Sequence, residues 1–356
     1  MKGNIDRLIV RPVSFLAAEG VNNDTAVSSR IRLARNLAGY SFPAAASPDS
    51  RQEICEKVSA AAEKTACLGS FAQTAVFDPA VLDNIDRKIL LERRLASKEF
   101  IEHPENTRLL VCPHERCSIM VNEEDQLRIQ YICPGSQLKT AWQEIDRIDN
   151  ALSTELAYAF DPHLGYLTSC PTNVGTGMRA SVMLHLPALV LTGQIAPTIQ
   201  GVNKLHLAVR GLYGEGSKNQ GDFFQISNQS TLGESEEKII ANLDAVIAQI
   251  IFHEQSARRK LFEKERSFLL DYVGRSYGIL RHCYQISAEE ALKNLSAVRL
   301  GVALGMFSSL KMETINRLLV MVEPAHLQKS ANLELDPEME MTFRADLCRT
   351  ELKNAL

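Results

Sequence analysis

Residues 170–186 read CPTNVGTGMRASVMLHL, a polar, glycine-rich turn that runs directly into a strand-like pattern. The backbone N–H groups and hydroxyls of such a turn suit an anion, yet the turn lacks the Lys-Ser/Thr ending of a P-loop. Cys170 stands before the turn and Arg179 stands after it. A buried structural thiol is the commonest fate of a lone cysteine. The polar setting of Cys170 also allows a functional thiolate.

Strand-like runs continue on both sides of this stretch, and they are short and partly alternating. They are TRLLVC, CSIMVN and DQLRIQYIC before the turn, then RASVMLHL, NKLHLAVRGLY and GDFFQISNQ. Because short polar connections join many of them, the sequence predicts an antiparallel sheet packed on helices, which is an α+β fold.

Segments with helical periodicity lie before, between and after the strand-like runs. The apolar spacing predicts three helices, over residues 50–68, 80–101 and about 136–160. From about residue 232 the chain is predicted to be helical, with Thr231 and Glu234 as a capping box. We place a domain boundary in the charged run near residue 258. The prediction is a sheet-containing unit over 1–258 and a helical C-terminal unit over 259–356.

The composition is that of an ordinary soluble globular protein. The 356 residues are 45% hydrophobic and 23% charged, and the formal net charge is −4, so no strong field favours nucleic acid or a membrane surface. Eight thinly spread cysteines indicate reduced thiols, and no apolar run has the length of a membrane span. We therefore expect a cytoplasmic protein that binds neither nucleic acid nor membranes. The spacing of Cys112, His114 and Cys117 lacks the second half of a zinc site, and no protein metal ligand is predicted.

Five arginines recur at strand-like positions beside glycine-rich or acidic turns: Arg30, Arg32, Arg128, Arg179 and Arg210. Arg30 and Arg32 alternate in SSRIR, so on a strand both point to one face. Two adjacent guanidiniums repel each other unless an anion lies between them, and the arginine fork suits phosphate oxygens. Each arginine alone is also consistent with an ordinary surface residue. Together they favour a triphosphate site.

Carboxylates accompany the arginines. Glu123, Glu124 and Asp125 follow one another in NEEDQLR, and Glu215 stands between two glycines in GLYGEGS. A solvated turn and a flexible surface hairpin are the simpler interpretations, whereas a cation site and a mobile lid are the functional ones. A guanidinium substrate accounts for both the acids and the arginines. Since a guanidinium has a pKa above about 12, a positioned carboxylate has to take its proton during phosphoryl transfer.

The blocks SSRIR, NEEDQLR and CPTNVGTGMRAS, in this order, resemble the signatures of the phosphagen (guanidino) kinases. The resemblance implies an antiparallel sheet flanked by helices, and it implies ATP with Mg²⁺ bound mainly to the nucleotide phosphates. It also implies that the five arginines hold those phosphates, that Glu124 is the catalytic base and that Cys170 is the reactive thiol beside the guanidinium. Glu215 resembles the second carboxylate that orients the guanidinium. Glu123 and Asp125 are further candidates for substrate binding.

The longer phrases SSRIRLARNL, RASVMLHLPAL and RGLYGEGS are similar to a bacterial branch of that family, the protein-arginine kinases. Because SSRIR already begins at residue 28, we expect the helical N-terminal domain of the free-metabolite kinases to be missing. The site would then be open enough for an arginine on a protein. The resemblance implies transfer of the γ-phosphoryl group of ATP to protein arginines and a role in protein quality control. It further implies a Clp-type protease and a zinc-binding activator protein as partners, and a homodimer formed through the C-terminal domain.

Two positions depart from that branch. Gln126 stands where a histidine usually follows the acids, and we expect it to tune the site without removing the base. In the stretch EMTFRADLCR, Arg344 and Ala345 match the second half of an Arg-Asp-x-x-Arg-Ala motif associated with phosphoarginine, whereas Glu340 does not match the first half. Arg344 and Arg349 are the candidate phosphoarginine ligands, and an acid at position 340 would repel a phosphoryl group.

Two other functions stay open from the sequence. One is a kinase of free arginine or of another small guanidine, and the expected absence of the N-terminal domain argues against it. The other is a non-catalytic adaptor that binds arginine-rich or phosphoarginine proteins. The predicted base Glu124 argues against an adaptor, because binding alone does not require a base.

Overall fold

The computed structural model describes residues 5–69, 73–211 and 221–353. Its strands are β1 (Ala26–Arg35), β2 (Ala75–Phe77), β3 (Arg108–Val111), β4 (Cys117–Val121), β5 (Leu127–Pro134), β6 (Phe160–Asp161), β7 (Gly165–Tyr166), β8 (Met178–His185), β9 (Leu207–Arg210) and β10 (Phe223–Asn228). Within the described residues, eight of these strands form one sheet in the order β2-β3-β4-β5-β1-β8-β10-β9, and every pairing in it is antiparallel. β6 and β7 form a separate hairpin. The predicted antiparallel α+β fold is confirmed.

Helices surround the sheet and continue beyond it. Those that precede the C-terminal region are α1 (Ile5–Ile9), α2 (Pro48–Thr65), α3 (Asn84–Glu92), α4 (Lys98–Glu102), α5 (Leu138–Ser153), α6 (Pro187–Leu191), α7 (Ile195–Lys204) and α8 (Glu236–Lys264). Those that follow are α9 (Arg266–His282), α10 (Ala288–Ala303), α11 (Met312–Met321), α12 (Pro324–Ala331) and α13 (Pro337–Lys353). No helix in the described ranges is both long enough and apolar enough to cross a membrane.

The central strand β1 shows how the sequence places the two faces of the sheet. Ile31 and Leu33 are fully buried, whereas Arg30 and Arg32 are half-buried on the opposite face. Because side chains alternate along a strand, the apolar pair joins the core beneath α2, α5 and α8. The arginine pair is left on the other face, as the alternation predicted.

The predicted helix over residues 80–101 is wrong as one element, because the structure breaks it between α3 and α4. Arg94 has a left-handed backbone with φ +59°, and Ser97 accepts the backbone N–H of Phe100 at 3.2 Å to cap α4. Arg93 is buried and forms an ion pair with Glu115 at 2.8 Å. Apolar residues keep a nearly regular helical spacing across the break between α3 and α4, so the spacing alone did not reveal the break.

The predicted capping box before α8 is also wrong. Ser235 is the N-cap, and its hydroxyl accepts the N–H of Lys238 at 3.3 Å. The hydroxyl of Thr231 donates instead to the carbonyls of Thr172 and Val174, at 2.8 and 2.7 Å. Thr231 therefore supports the glycine-rich turn, a contact between distant parts of the chain that local spacing does not reveal.

The C-terminal helices pack on the arginine-bearing face of the sheet. Ile132 is the register partner of Arg30 on the neighbouring strand, and paired residues share a face. Ile132 is buried in an apolar cluster with residues of α10, α11 and α13, among them Leu295 and Leu318. These helices cover one end of the face and leave the arginines beside them. The boundary at residue 258 falls inside α8 and stays a proposal.

A buried arginine ties this region to the sheet. The Arg299 guanidinium on α10 donates to the carbonyls of Asp24 and Asn23 at 2.7 and 2.8 Å. It also lies 2.9 Å from Nδ1 of His185 at the end of β8. The C-terminal helices are therefore anchored to the segment that leads into β1.

Candidate active site

The arginine-bearing face opens into a cleft of about 920 Å³. All five predicted arginines line this cleft, as do Glu124 and Cys170. The strand register brings the arginines together: Arg32 lies opposite Arg179 across β1 and β8, and Arg210 lies opposite Gln225 across β9 and β10. Residues far apart in the sequence therefore meet in the cleft. We call the surface formed by Arg30, Arg32, Arg128, Arg179 and Arg210 the arginine wall.

The guanidiniums of the arginine wall repel one another. Burial, followed by the charges of Arg94, Arg128 and Arg179, lowers the pKa of Arg30 to about 9. Burial and the neighbouring guanidiniums likewise hold the pKa of Arg32 well below its ordinary value. Among the residues that the structure describes, the buried Nε atom of Arg32 has no hydrogen-bond partner. An anion between these groups would relieve the repulsion and supply acceptors, so the wall suits a polyphosphate.

Neutral side chains orient two of these arginines. Arg30 donates to the Gln225 side-chain oxygen at 3.1 Å, and Arg179 donates to the Ser227 hydroxyl at 3.2 Å. Both partners stand on β10. Because neither partner is an anion, each contact fixes a direction without neutralising the charge.

The three consecutive acids occupy different surroundings. Glu123 is the counter-ion of Arg128, with Oε2 at 2.6 Å from the guanidinium, and it also accepts the Ser97 hydroxyl. Burial opposes the charge on Glu123, but Arg128 outweighs burial and lowers the pKa of that carboxyl. Asp125 is buried and accepts the Asn36 amide and the Ser169 N–H, both at 2.7 Å. Both carboxylates line the cleft with partners from the protein itself.

Glu124 differs from its neighbours because it is exposed in the cleft. Partial loss of solvent is the largest cause of the raised pKa of the Glu124 carboxyl, and the negative charges of Asp125, Glu123 and Glu99 add to it. Arg128 acts in the opposite direction. A carboxylate with a raised pKa is a better proton acceptor, as a general base requires.

The side chain of Gln126 makes hydrogen bonds within the protein. It is fully buried, accepts the N–H of Leu37 at 2.6 Å and donates to the carbonyl of Ser41 at 2.9 Å. Its side chain thus holds the segment after β1 against the acidic turn.

Cys170 and its turn lie beside the acids, because the neighbouring Ser169 donates its N–H to Asp125. Cys170 precedes a short 3-10 helix, Pro171–Asn173, and its Sγ lies 3.0 Å from the Thr172 hydroxyl. The Asn173 amide points to Oε2 of Glu124 at 3.5 Å. The thiol, the amide and the exposed carboxylate therefore meet at one end of the cleft, a group of polar atoms that suits a guanidinium.

The glycine-rich turn owes its shape to Gly175. Gly175 has φ +111°, and a Cβ placed there would lie 2.2 Å from the carbonyl oxygen of Thr231. That backbone conformation is accessible almost only to glycine.

Gly175→Ala is expected to lower the free energy of unfolding by about 1–3 kcal/mol and to displace the Cys170 turn. Chemical denaturation and the turnover rate would measure both effects. Gly193→Ala is the matched control, because Gly193 also has positive φ but no atom of the described residues lies within 4 Å of the added Cβ. Equal losses in the two variants would show that backbone strain, and not the clash with Thr231, causes the effect.

The second predicted carboxylate, Glu215, lies outside the described residues. Within the described ranges, no three His, Cys, Asp or Glu side chains form a group that could hold a metal ion. Cys112 and Cys117 lie on the β3–β4 hairpin, where the N–H of Cys117 donates to Sγ of Cys112 at 3.1 Å.

A second cavity continues from the arginine wall. Arg30, Arg94 and Gln225 line both cavities. The remaining walls of the second cavity are largely apolar, with Phe223 from the sheet and Leu319 from α11 among them. It therefore lies between the sheet and the C-terminal helices, next to the arginine wall.

Comparison with known proteins gives the family. Residues 53–257 match the C-terminal catalytic domain of ATP:guanido phosphotransferases, and residues 266–356 match the protein-arginine kinase McsB C-terminal domain. The protein-arginine kinase of Pelotomaculum thermopropionicum is 44% identical over 343 residues, which is 96% of this chain and 96% of that protein. The protein-arginine kinase of Halothermothrix orenii is 43% identical over 338 residues, 95% and 96% of the two chains.

The chain belongs to the protein-arginine kinase branch of the ATP:guanido phosphotransferase family. The resemblance seen in the sequence is confirmed, and the protein is a phosphotransferase.

Solved structures of guanidino kinases share the fold. A lombricine kinase superposes with a TM-score of 0.59 at 23% identity, over 72% of this chain and 71% of that chain. The duplicated taurocyamine kinase of Schistosoma mansoni has a TM-score of 0.59 at 24% identity, over 71% of this chain and 38% of that chain. At these identities the likeness concerns the fold.

The pH dependence of this phosphotransferase should report Glu124. Because the predicted base Glu124 would work only when ionised and its pKa is raised, activity is expected to fall with decreasing pH before an ordinary glutamate, with a pKa of about 4.3, would be protonated. Glu99→Gln removes one neighbouring negative charge, which favours ionised Glu124 and shifts the acid limb to lower pH.

A pH–kcat profile measures this shift. Glu105→Gln, at an exposed position, is the control that leaves the limb in place. If the acid limb of the Glu99→Gln profile stays at the same pH as in the parent, the charge of Glu99 does not raise the pKa of Glu124.

The sequence missed several residues of the site in this phosphotransferase. Arg94 and Glu99 were hidden inside the single helix predicted over residues 80–101, and Gln225 and Ser227 carried no motif. The doubled arginine in ERRLAS was the available signal for Arg94.

The two candidate phosphoarginine ligands of the C-terminal region have partners inside it. Arg344 is buried and donates to the carbonyls of Val322 and Ile286 at 2.8 and 3.1 Å. Arg349 donates to Asp346 at 2.9 Å and lies 5.0 Å from the ring centre of Tyr284. Binding of phosphoarginine there remains a prediction.

Proposed function

We propose that this phosphotransferase moves the γ-phosphoryl group of ATP to a guanidinium nitrogen of arginine side chains in proteins. The observation that carries the proposal is the cleft itself. One wall concentrates guanidiniums whose mutual repulsion, after burial, lowers the pKa of Arg30 and Arg32, and the cleft also holds the exposed carboxylate Glu124 beside Cys170 and Asn173.

The triphosphate would lie on the arginine wall. Arg30 and Arg32 gain most from an anion, because burial and mutual repulsion disfavour their charges. The purine base would enter the adjoining apolar cavity, where Phe223 and Leu319 offer hydrophobic surface. Mg²⁺ would bind the phosphate oxygens and neutralise part of their charge.

The acceptor guanidinium would lie between Glu124 and Cys170. Glu124 takes a proton from the attacking nitrogen, which leaves a lone pair to form the N–P bond with the γ-phosphorus. The bond from that phosphorus to the β,γ-bridging oxygen breaks, and ADP leaves with the electron pair. The arginine wall stabilises the negative charge that is redistributed during the transfer. The product arginine has lost its positive charge.

A protein substrate is supported by two observations. The curated relatives that match nearly the whole chain are protein-arginine kinases. In addition, the end of the cleft near Glu124 is rimmed by exposed residues of α4 and the segment after it, Lys98, Glu99 and His103. An arginine side chain could reach Glu124 there while its main chain stays outside.

The test is transfer from Mg-ATP to two acceptors offered separately, free L-arginine and an unfolded arginine-containing protein. Mass spectrometry under neutral conditions would locate the acid-labile phosphate. Phosphate on protein arginines supports the proposal, and transfer to free arginine alone would replace it with a small-guanidine kinase. Cys170→Ala should raise the KM for the acceptor and leave the KM for ATP unchanged.

The wider role follows from the same chemistry. Phosphorylation of arginine changes the charge of a protein surface and can act as a mark. By resemblance to its branch, we propose a cytoplasmic enzyme in protein quality control, with a Clp-type protease and a zinc-binding activator protein as partners. We also propose that the C-terminal helical region forms a homodimer.

A further inference from the structure

Arg94 stands where a helix normally ends with glycine. The N–H of Leu95 donates to Leu90 and the N–H of Arg94 donates to Leu91, both at 2.9 Å, which is the Schellman pattern at the end of α3. The residue in the left-handed position of that pattern is usually glycine, because a Cβ is disfavoured there. Here it is an arginine with φ +59°.

The surrounding structure holds this unfavourable backbone in place. Gln130 donates to the carbonyl of Arg94 at 2.6 Å, and Ser118 donates to the carbonyl of Leu95 at 2.9 Å. On the other side, Arg93 is fixed by its buried ion pair with Glu115. A residue kept in such a conformation by several independent contacts is a reason to look for a function of its side chain.

The side chain of Arg94 lies at the junction of the two cavities. Together with Arg30 and Gln225, it lines both the arginine cleft and the apolar cavity. Its charge is the first electrostatic cause, after burial, of the lowered pKa of Arg30. The fold therefore adds another cation to a wall that already holds several, at the junction with the apolar cavity, whose lining includes neither Glu124 nor Cys170.

We propose that Arg94 is a sixth phosphate-binding arginine, which contacts the α- or β-phosphate of ATP at the end of the triphosphate nearer to the base. The proposal rests on ATP being the phosphoryl donor. An anion there would lie between Arg94 and Arg30 and would turn their repulsion into a shared attraction. Since the transferred γ-phosphate lies at the other end, Arg94 should contribute to nucleotide binding and little to the chemical step.

The decisive variant is Arg94→Gly. It removes the guanidinium and also gives the left-handed position the residue that suits it, so the variant should fold at least as well as the parent protein. Ala66→Gly is the matched control, because Ala66 is a left-handed C-cap at the end of α2 with φ +47°. It makes the same kind of backbone change outside the cleft. Arg94→Lys retains the charge without the fork.

Binding of ATP, ADP and adenosine would be measured by calorimetry for each variant. Arg94→Gly is expected to weaken ATP and ADP by similar factors of about 10 or more, the loss of a charge-assisted hydrogen bond, and to leave adenosine unchanged. Arg94→Lys should weaken them less, and Ala66→Gly should bind all three ligands like the parent. At saturating ATP, kcat should stay within about threefold of the parent.

Three results would overturn the proposal. ATP and ADP bound by Arg94→Gly as tightly as by the parent would mean that Arg94 contacts no phosphate. An equal loss for adenosine would mean that Arg94 only shapes the cavity. A loss for ATP without a loss for ADP would place Arg94 at the γ-phosphate. Because the readout is nucleotide binding, a parent protein that binds ATP but does not phosphorylate arginine would refute the proposed function and leave the assignment of Arg94 standing.

Discussion

Replacing Glu124 with glutamine is expected to lower kcat by about 10²–10⁴-fold, the usual contribution of a general base. Glutamine keeps the size of the side chain and its contact with Asn173, but it cannot accept the guanidinium proton. The KM for ATP should change little, because Arg128 is held by hydrogen bonds to Glu123 and not to Glu124. Steady-state kinetics with a protein substrate, together with calorimetric ATP binding, measures both expectations.

The control for this variant is Glu123→Gln. Glu123 is bonded to Arg128 and Ser97, so its loss should disturb the position of Arg128 and raise the KM for ATP. We therefore expect Glu124→Gln to lower kcat and Glu123→Gln to raise the KM for ATP. A Glu124→Gln enzyme that retains more than a tenth of the parent kcat would exclude Glu124 as the base.

Arg35→Leu is expected to lower the free energy of unfolding by about 3–5 kcal/mol, because it leaves the buried carboxylate of Asp149 without its partner. The Arg35 guanidinium contacts Asp149 at 2.7 Å and donates to the carbonyl of Thr176 at 2.9 Å. It also lies 3.5 Å from the ring centre of Tyr166. The side chain thus joins β1, α5, the β6–β7 hairpin and the glycine-rich turn. Chemical denaturation would measure the loss.

An exposed ion pair provides the comparison. Arg275 and Asp271 lie 2.8 Å apart on α9 with both side chains largely exposed, so Arg275→Leu should cost at most about 1 kcal/mol. In the double variant Arg35→Leu/Asp149→Leu, part of the lost stability should return, since no charge remains buried. A single Arg35→Leu variant as stable as the Arg275→Leu variant would show that the buried pair does not stabilise the fold.

Much of the fold and of the arginine wall could be predicted from the sequence, because both depend on local alternation. A strand turns each second side chain to the same face, so the spacing of Arg30 and Arg32 was enough to place both on one face of the strand. The blocks that contain Arg128 and Arg179 also read as strands, and the antiparallel register then placed Arg179 opposite Arg32. The family followed from the order of these blocks.

Other features of the site depend on contacts between distant segments. Glu123 and Glu124 are adjacent and chemically identical, and only the tertiary structure gives the first an arginine partner and the second an exposed position. The break that exposes Arg94 depends on Glu115 and Gln130, which follow it in the chain by 21 and 36 residues. Periodicity records which face a residue occupies, whereas charge pairing and backbone strain depend on which segments meet. The sequence by itself therefore determined the fold class and the arginine wall, and the tertiary structure decided which carboxylate is available as a base and which additional cation reaches the cleft.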